Sequence, residues 1–473
     1  AWLEVYDKPI LYFPKFAHPD PTVERQSGFL VPSIYDSNNL GLAIDIPYYK
    51  VISENKDLTF KPRFYSNENL ILQSEYRQTN KNSKHVFDVG LSSKGGLHNN
   101  NENSSKSHFF SNSIFDLNFD NFDTSSFEVN VASTSNDTYL KTYKIKSPLI
   151  NNFSSLKSFL TFNAEREDLS INTSIEVYED LGKSSSDRFE YVYPNFKVKK
   201  KLGIIENLNS GLSFTTSGFQ KQYNTNISET ILINDLLLES EDIITESGFK
   251  NNFKYLIKNV NSDSDNSSVY KNSFEQELLT LFSFETSYPM HKVNDKSESL
   301  LTPTLSMRIS PNKTKNILND DRRIDINNIY SLNRISKEDT VEGGESVTIG
   351  AEYKKNYNNN ELMSLNLAQV YRFNENDDLP LKSTIGGKSS DIVGNLNIKP
   401  NKYLNLNYDF SFDNNLDRSN YDSIKTSLNV NNFVTTFEFL EEKNDIGNDS
   451  FVSNNTSLKL NNNSSLAFET RKN

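Results

Sequence analysis

SGFLVPSIYDSNNLGLAIDIPYYKVISENKDLTFKPRFYSNENLILQSEYR, residues 27–77, alternates apolar and polar side chains through successive runs. In the run from Leu40, the residues Leu40, Leu42, Ile44, Ile46 and Tyr48 fall on one face of an extended chain, and Gly41, Ala43, Asp45, Pro47 and Tyr49 on the other. In the next run Leu58, Phe60 and Phe64 oppose Asp57, Thr59, Lys61 and Arg63. In the third, Leu70, Leu72 and Tyr76 oppose Gln73, Glu75 and Arg77. A period of two is a strand rhythm, not a helix rhythm. One face is greasy enough for lipid and the other polar enough for water, with short turns between, as in a transmembrane β-hairpin array.

Two of these runs carry a proline in mid-strand, Pro32 and Pro47. Proline lacks the N–H that a ladder needs, so it belongs at an edge, a bulge or a weak seam. Pro62, Pro194, Pro303 and Pro400 fall nearer to strand ends or on less central strands, and read as turn or bulge residues.

The same rhythm continues down the 473 residues in segments such as DLSINTSIEVYE (168–179), ETILINDLLLES (229–240) and SVTIGAEYKKNY (346–357). It is cleanest in YLNLNYDFSFD (403–413), where Leu404, Leu406, Tyr408, Phe410 and Phe412 oppose Asn405, Asn407, Asp409, Ser411 and Asp413. Roughly 22 such segments occur, most near the 9–11 residues of a tilted crossing. The expected fold is therefore all-β, a very large antiparallel transmembrane barrel. Leu42, Ile44, Ile46, Leu58, Phe60, Leu404, Leu406 and Phe410 are expected to face lipid. Asp45, Lys61, Arg63, Asn405 and Asp409 are expected to face the lumen. Long polar stretches at 133–152, 260–268 and 312–345 read as loops, and long barrel loops lie outside the cell.

Bulk composition agrees with this. Hydrophobic content of 35% and a mean hydropathy of −0.63 are low for a large soluble core. Disorder is argued against by 32 Phe and 23 Tyr. Strands greasy on one face only account for both. No run approaches the length of an apolar membrane helix. A net charge of −12 without a basic stripe makes nucleic acid a poor partner. Zero cysteines leave the compartment open.

The sequence carries no signature of an enzyme and calls for no cofactor or metal. His18, His85, His98, His108 and His291 are scattered, each reading as a surface or lumen residue. GGKSS (386–390) lacks the upstream glycine of a phosphate loop and reads as a turn. SDSDNSS reads as a solvated loop, and Glu165 with Glu167 as a pair that strand alternation makes common.

SGFLVPS followed by DIPYY, DLTFKPR and SEYR resembles the opening of the barrel of the LptD family, the outer-membrane lipopolysaccharide-assembly proteins. PILYFPKFAHPDPTVERQ resembles that family's passage from a periplasmic jellyroll into the barrel. NRISKEDTVEGGESVTIGAEYKK resembles its Asn-Arg, acidic, Gly-rich loop leading into a strand. The resemblance implies a division into residues 1–26, the end of the jellyroll, and 27–473, the barrel. It implies lipopolysaccharide as substrate, arriving from an LptA-like periplasmic bridge protein. The sugar head would pass through the lumen, around an LptE-like lipoprotein plug, while the acyl chains leave into the outer-membrane lipids. It places a lateral gate between the first and last strands, with Pro32 and Pro47 weakening it. The family's barrel has about 26 strands, near the upper end for single-chain barrels. Together with the terminal RKN, this leads us to expect missing final strands and an open edge at Leu466 to Thr470. The family's cysteines have no counterpart here. Porins and plugged transporters are the alternative barrels.

Overall fold

The computed structural model describes residues 2–5, 8–12, 25–37, 40–66, 70–92, 105–184, 187–358, 360–443, 446–461 and 464–472. Among them, helix is confined to one turn at Tyr139–Thr142 and two 3-10 turns. The rest of the regular structure is strand. Trp2–Val5 pairs with Lys8–Tyr12 in a separate two-stranded sheet. The remaining 27 strand segments are antiparallel and belong to one sheet. Leu466 to Thr470, where an open edge is expected, lies in the strand Ser464–Lys472, which pairs with Ser450–Asn461 on its near side.

The chain divides into two compact units. The first holds residues 1–200, 216–232 and 261–275, and the second holds 201–215, 233–260 and 276–473. In both, connections alternate between tight and long. Two-residue turns such as Glu54–Asn55, Asp295–Lys296 and Asn431–Asn432 follow one strand, and the next is followed by a longer segment such as 135–154, 311–343 or 373–391. Short turns on one side and long loops on the other are the habit of outer-membrane barrels.

Burial is inverted relative to a soluble protein. Along Lys56–Tyr65, Asp57, Thr59 and Arg63 are buried while Phe60 and Phe64 are exposed. Gln73, Glu75 and Asp88 are buried on the next two strands, and Val89 and Leu91 are exposed. A sheet whose charged face is covered and whose aromatic face is bare needs lipid on the outside.

What covers the polar face is the long connections, and here the loop reading is corrected. Residues 135–154 bury Tyr139, Leu140, Tyr143 and Ile145 against Leu40, Ile71 and Phe110. Leu40, which opens the apolar face of the first alternating run, belongs to this cluster and sits in a turn. Residues 311–343 bury Ile317, Ile324, Ile329 and Ile335 against Ala368, Val370, Leu379 and Val393. Sparse apolar residues in a polar stretch look like solvated loop in a window average, yet they suffice for a small core. Residues 260–265, expected in a loop, finish the strand Lys250–Asp265.

Prolines behave more variously than expected. Pro194 lies at a register shift against Ser174 and Glu176, and Pro400 at one between Ile398 and Asn401. Pro62 and Pro303 instead sit within unbroken strands, paired with Leu72 and Ala351.

Candidate functional site

Pro32 and Pro47 lie on the two strands of the first hairpin, at one gap in its ladder. The first strand is split into Gly28–Phe29 and Ser33–Ser37, and the second into Gly41–Asp45 and Tyr48–Ser53. Phe29 pairs with Tyr48 on one side of the gap and Ser33 with Asp45 on the other. Three residues (30–32) therefore oppose two (46–47), which is a bulge. Pro62 lies level with the gap on the third strand. Its carbonyl accepts from Ile46 N at 3.2 Å, and the Pro47 carbonyl accepts from Leu30 N at 2.8 Å. Three prolines on three neighbouring strands can return no N–H, so the ladder is thinnest at this level.

The same chemistry recurs once in the second unit. Tyr288 and Pro289 interrupt the run between Glu275–Ser287 and Met290–Asn294, and Tyr288 N donates to the Pro303 carbonyl at 3.1 Å. An X-Pro gap opposite a strand proline is therefore not unique to the first hairpin. The bulge with Pro32 on the adjoining strand is what sets that site apart.

Next to the first gap lies a chain of charges. Arg63 Nε and Nη2 donate to the two Asp45 carboxylate oxygens at 2.5 and 3.0 Å. Arg63 Nη1 donates to the Tyr143 carbonyl at 2.6 Å and reaches Tyr65 Oη at 3.3 Å. Lys61 Nζ pairs with Glu75 at 3.0 Å. Asp57 accepts from Arg25 at 2.5 Å and Arg77 at 2.7 Å. Gln73 Nε2 donates to Asp88 and, at 3.0 Å, to the Lys146 carbonyl. His108, read as a surface or lumen residue, is buried between Asp88 (3.3 Å) and Tyr139 Oη (3.2 Å). Of the other histidines, His85 is half-buried beside Ser83 and Ser113, His291 is exposed beside Glu298, and His18 and His98 lie outside the described residues.

Asn405 and Asp409 belong to the second unit. Asn397 donates to Asn405 at 3.2 Å, and Asp409 accepts from Asn395 at 2.5 Å and from Asn407 at 2.8 Å. They share a face with buried Ser411, whose hydroxyl donates to Asp391 at 2.9 Å. Asp409 also lines a cavity of about 120 Å³ with Arg323 and Tyr421. Arg323 stacks 3.7 Å from the Tyr421 ring centroid and pairs with Glu442 at 2.7 Å.

Sequence reasoning missed one cluster altogether. Glu342 is fully buried with three arginines: Arg334 donates to both its carboxylate oxygens at 2.8 and 2.6 Å, Arg372 donates to Oε1, and Arg308 Nη2 lies 3.0 Å from Oε1. Arg308 Nη1 also donates to the Glu342 carbonyl at 2.6 Å. Arg334 and Glu342 stand in the quoted NRISKEDTVEGGE stretch, but their strand partners are far off in sequence. Among the described residues, no group of three or more His, Asp or Glu is placed to hold a metal ion.

The LptD family, described as LPS transport system D, matches residues 103–464. An LPS-assembly protein LptD of Pseudoalteromonas translucida is 43% identical over 77 residues, 16% of this chain and 10% of that protein. One from Pseudomonas savastanoi pv. phaseolicola is 36% identical over 101 residues, 21% of this chain and 10% of that protein. These matches thus span about a tenth of those relatives' length. Among solved structures, the copper transporter OprC aligns over 93% of this chain and 72% of its own with a TM-score of 0.28 at 9% identity. The ferric preacinetobactin receptor BauA of Acinetobacter baumannii gives 0.23 at 8% identity over 94% and 79%. With three quarters of its length inside one family's match, the chain belongs to the LptD family, and its place is the bacterial outer membrane.

Proposed function

We propose that this chain is the barrel of a lipopolysaccharide translocon, with the amphiphile leaving sideways at the first strand. The physical need for a side exit is plain. Acyl chains cannot follow a sugar head through a wet lumen at about 0.8 kcal/mol per exposed methylene. In this reading Asp45, Lys61, Arg63, Asn405 and Asp409 face the lumen, and Pro32 and Pro47 mark the gate. Residues 1–26 continue a periplasmic jellyroll and 27–473 are the barrel. Delivery comes from an LptA-like bridge, and an LptE-like lipoprotein plugs the lumen. No covalent chemistry is part of the cycle.

The observation that supports this most is the proline bulge in the first hairpin. Each proline removes one potential ladder bond, worth about 0.5–1.5 kcal/mol net. In this reading the losses leave the first strands pairing weakly with the last, so that this seam opens transiently while the rest of the sheet stays paired. The experiment is Pro32→Ala with Pro47→Ala in the full-length protein, with Pro289→Ala and Pro303→Ala as the matched control. Surface lipopolysaccharide should fall in the first pair at equal barrel abundance, and stay normal in the second. Equal delivery in both would reduce Pro32 and Pro47 to edge devices.

A further inference from the structure

We propose that Arg63 is the positioning residue that couples the first hairpin to the inward-folded connection 135–154, so that the two loosen and tighten together. Four stretches distant in sequence meet at this one buried side chain. Its own strand is Lys56–Tyr65. Asp45, held bidentately, ends the Gly41–Asp45 segment at the last rung before the proline gap. Tyr35, on Ser33–Ser37, lays its ring 4.9 Å from the guanidinium carbon. Tyr143 of the connection gives its carbonyl.

The ladder alone holds this end of the hairpin weakly. Gly41–Asp45 pairs with the third strand at only three residues, Ala43, Ile44 and Asp45, before the ladder is interrupted. The Asp45 to Arg63 fork closes the last of those rungs. It adds a charged, bidentate tie where backbone bonds are fewest. The third arm of the guanidinium then leaves the sheet for the connection.

Two further contacts join the same connection to the same wall, the Gln73 bond to the Lys146 carbonyl and the His108 contact with Tyr139. Lys146 also lies 5.6 Å from the Tyr35 ring centroid. The connection therefore grips the first, third, fourth and sixth strands; it packs on Leu40 in the turn of the first hairpin and, among the described residues, is hydrogen-bonded to the second strand by way of Arg63. Arginine is required because two donors serve the carboxylate while a third reaches a carbonyl in another direction. A lysine supplies the charge without that fork. Coupling of this kind is reciprocal: loosening the connection must loosen the hairpin, and the reverse.

This inference rests on the translocon reading only for its purpose, because the tie itself is measured without lipopolysaccharide. The experiment is amide hydrogen exchange on the full chain in nanodiscs, comparing Arg63→Gln, Arg63→Lys and Leu140→Ala with the parent. Leu140 is buried in the same core as Leu40 of the hairpin turn, so Leu140→Ala is made both alone and on Arg63→Gln, where any further speeding of 41–45 would come through Leu40 and not through Arg63. Arg63→Gln should speed exchange in 33–37, 41–45 and 139–146 together, by about tenfold at the slowest amides, with 404–412 unchanged. Arg63→Lys should restore protection in 41–45, through the Asp45 pair, but not in 139–146. Leu140→Ala should speed 41–45 as well as 139–146. Faster exchange in 139–146 alone under Leu140→Ala would overturn the coupling and leave Arg63 a staple between two strands. Normal lipopolysaccharide delivery in the proline variants would bear on the translocon reading and not on these exchange rates.

Discussion

Glu342 is the residue on which the second inward connection depends. Burial alone would raise its carboxyl's affinity for a proton. Arg308, Arg334 and Arg372 more than offset that and hold it well below the usual carboxylate range near 4.5. A depressed folded value means its stabilisation is complete above the unfolded value and is lost only as pH falls through the folded one. Docking of 311–343 should therefore persist unchanged from neutral pH through 4.5, failing only in stronger acid. Glu342→Gln leaves three buried guanidinium groups without their carboxylate. That should cost about 3–5 kcal/mol, as for breaking other buried pairs. Limited proteolysis should then cut within 311–343 at neutral pH, where the parent resists. At this scale the sequence was half legible. Asn333, Arg334 and Glu342 stood in a motif, but Arg308 and Arg372 looked like ordinary strand arginines. Pairing across 30 or more positions leaves no periodic trace.

Strands were the most legible elements, because a face that must be apolar and a face that must be wet print a period of two. Leu404 to Phe412 came out as read, and the strand spans Leu404–Phe412. The gaps were less legible. Pro62 reads as a strand-end residue until its neighbour across the ladder is known. Connections were least legible, since their cores need only a few apolar side chains each. The inner wall makes room for them with a glycine. A Cβ at Gly90 would stand 2.2 Å from His108 Cε1 and 2.9 Å from Tyr139 Oη. Gly90→Ala should therefore displace His108 and release the helix turn Tyr139–Thr142, while Ser83–Ser92 stays paired. Hydrogen exchange that rises in 139–145 and not in 83–92 is the expected result. Unchanged protection of both would show that the ring moves aside freely.

At the scale of the whole molecule, bare aromatic faces and covered charges identify the membrane as the solvent, and the family match identifies the kind of barrel. Length and composition alone could not have done so, because low hydropathy suits a disordered chain as well as a one-sided sheet. The central claim is that lipopolysaccharide travels along the polar face of this sheet. A chain with no cysteines and a two-faced strand gives a direct test: photoreactive residues placed singly at Lys61, Asn405 and Leu406 in the full-length protein, irradiated in living cells. The account predicts lipopolysaccharide adducts at 61 and 405 and none at 406, the neighbour pointing the other way. Adducts at 406 with none at 61 or 405 would contradict it.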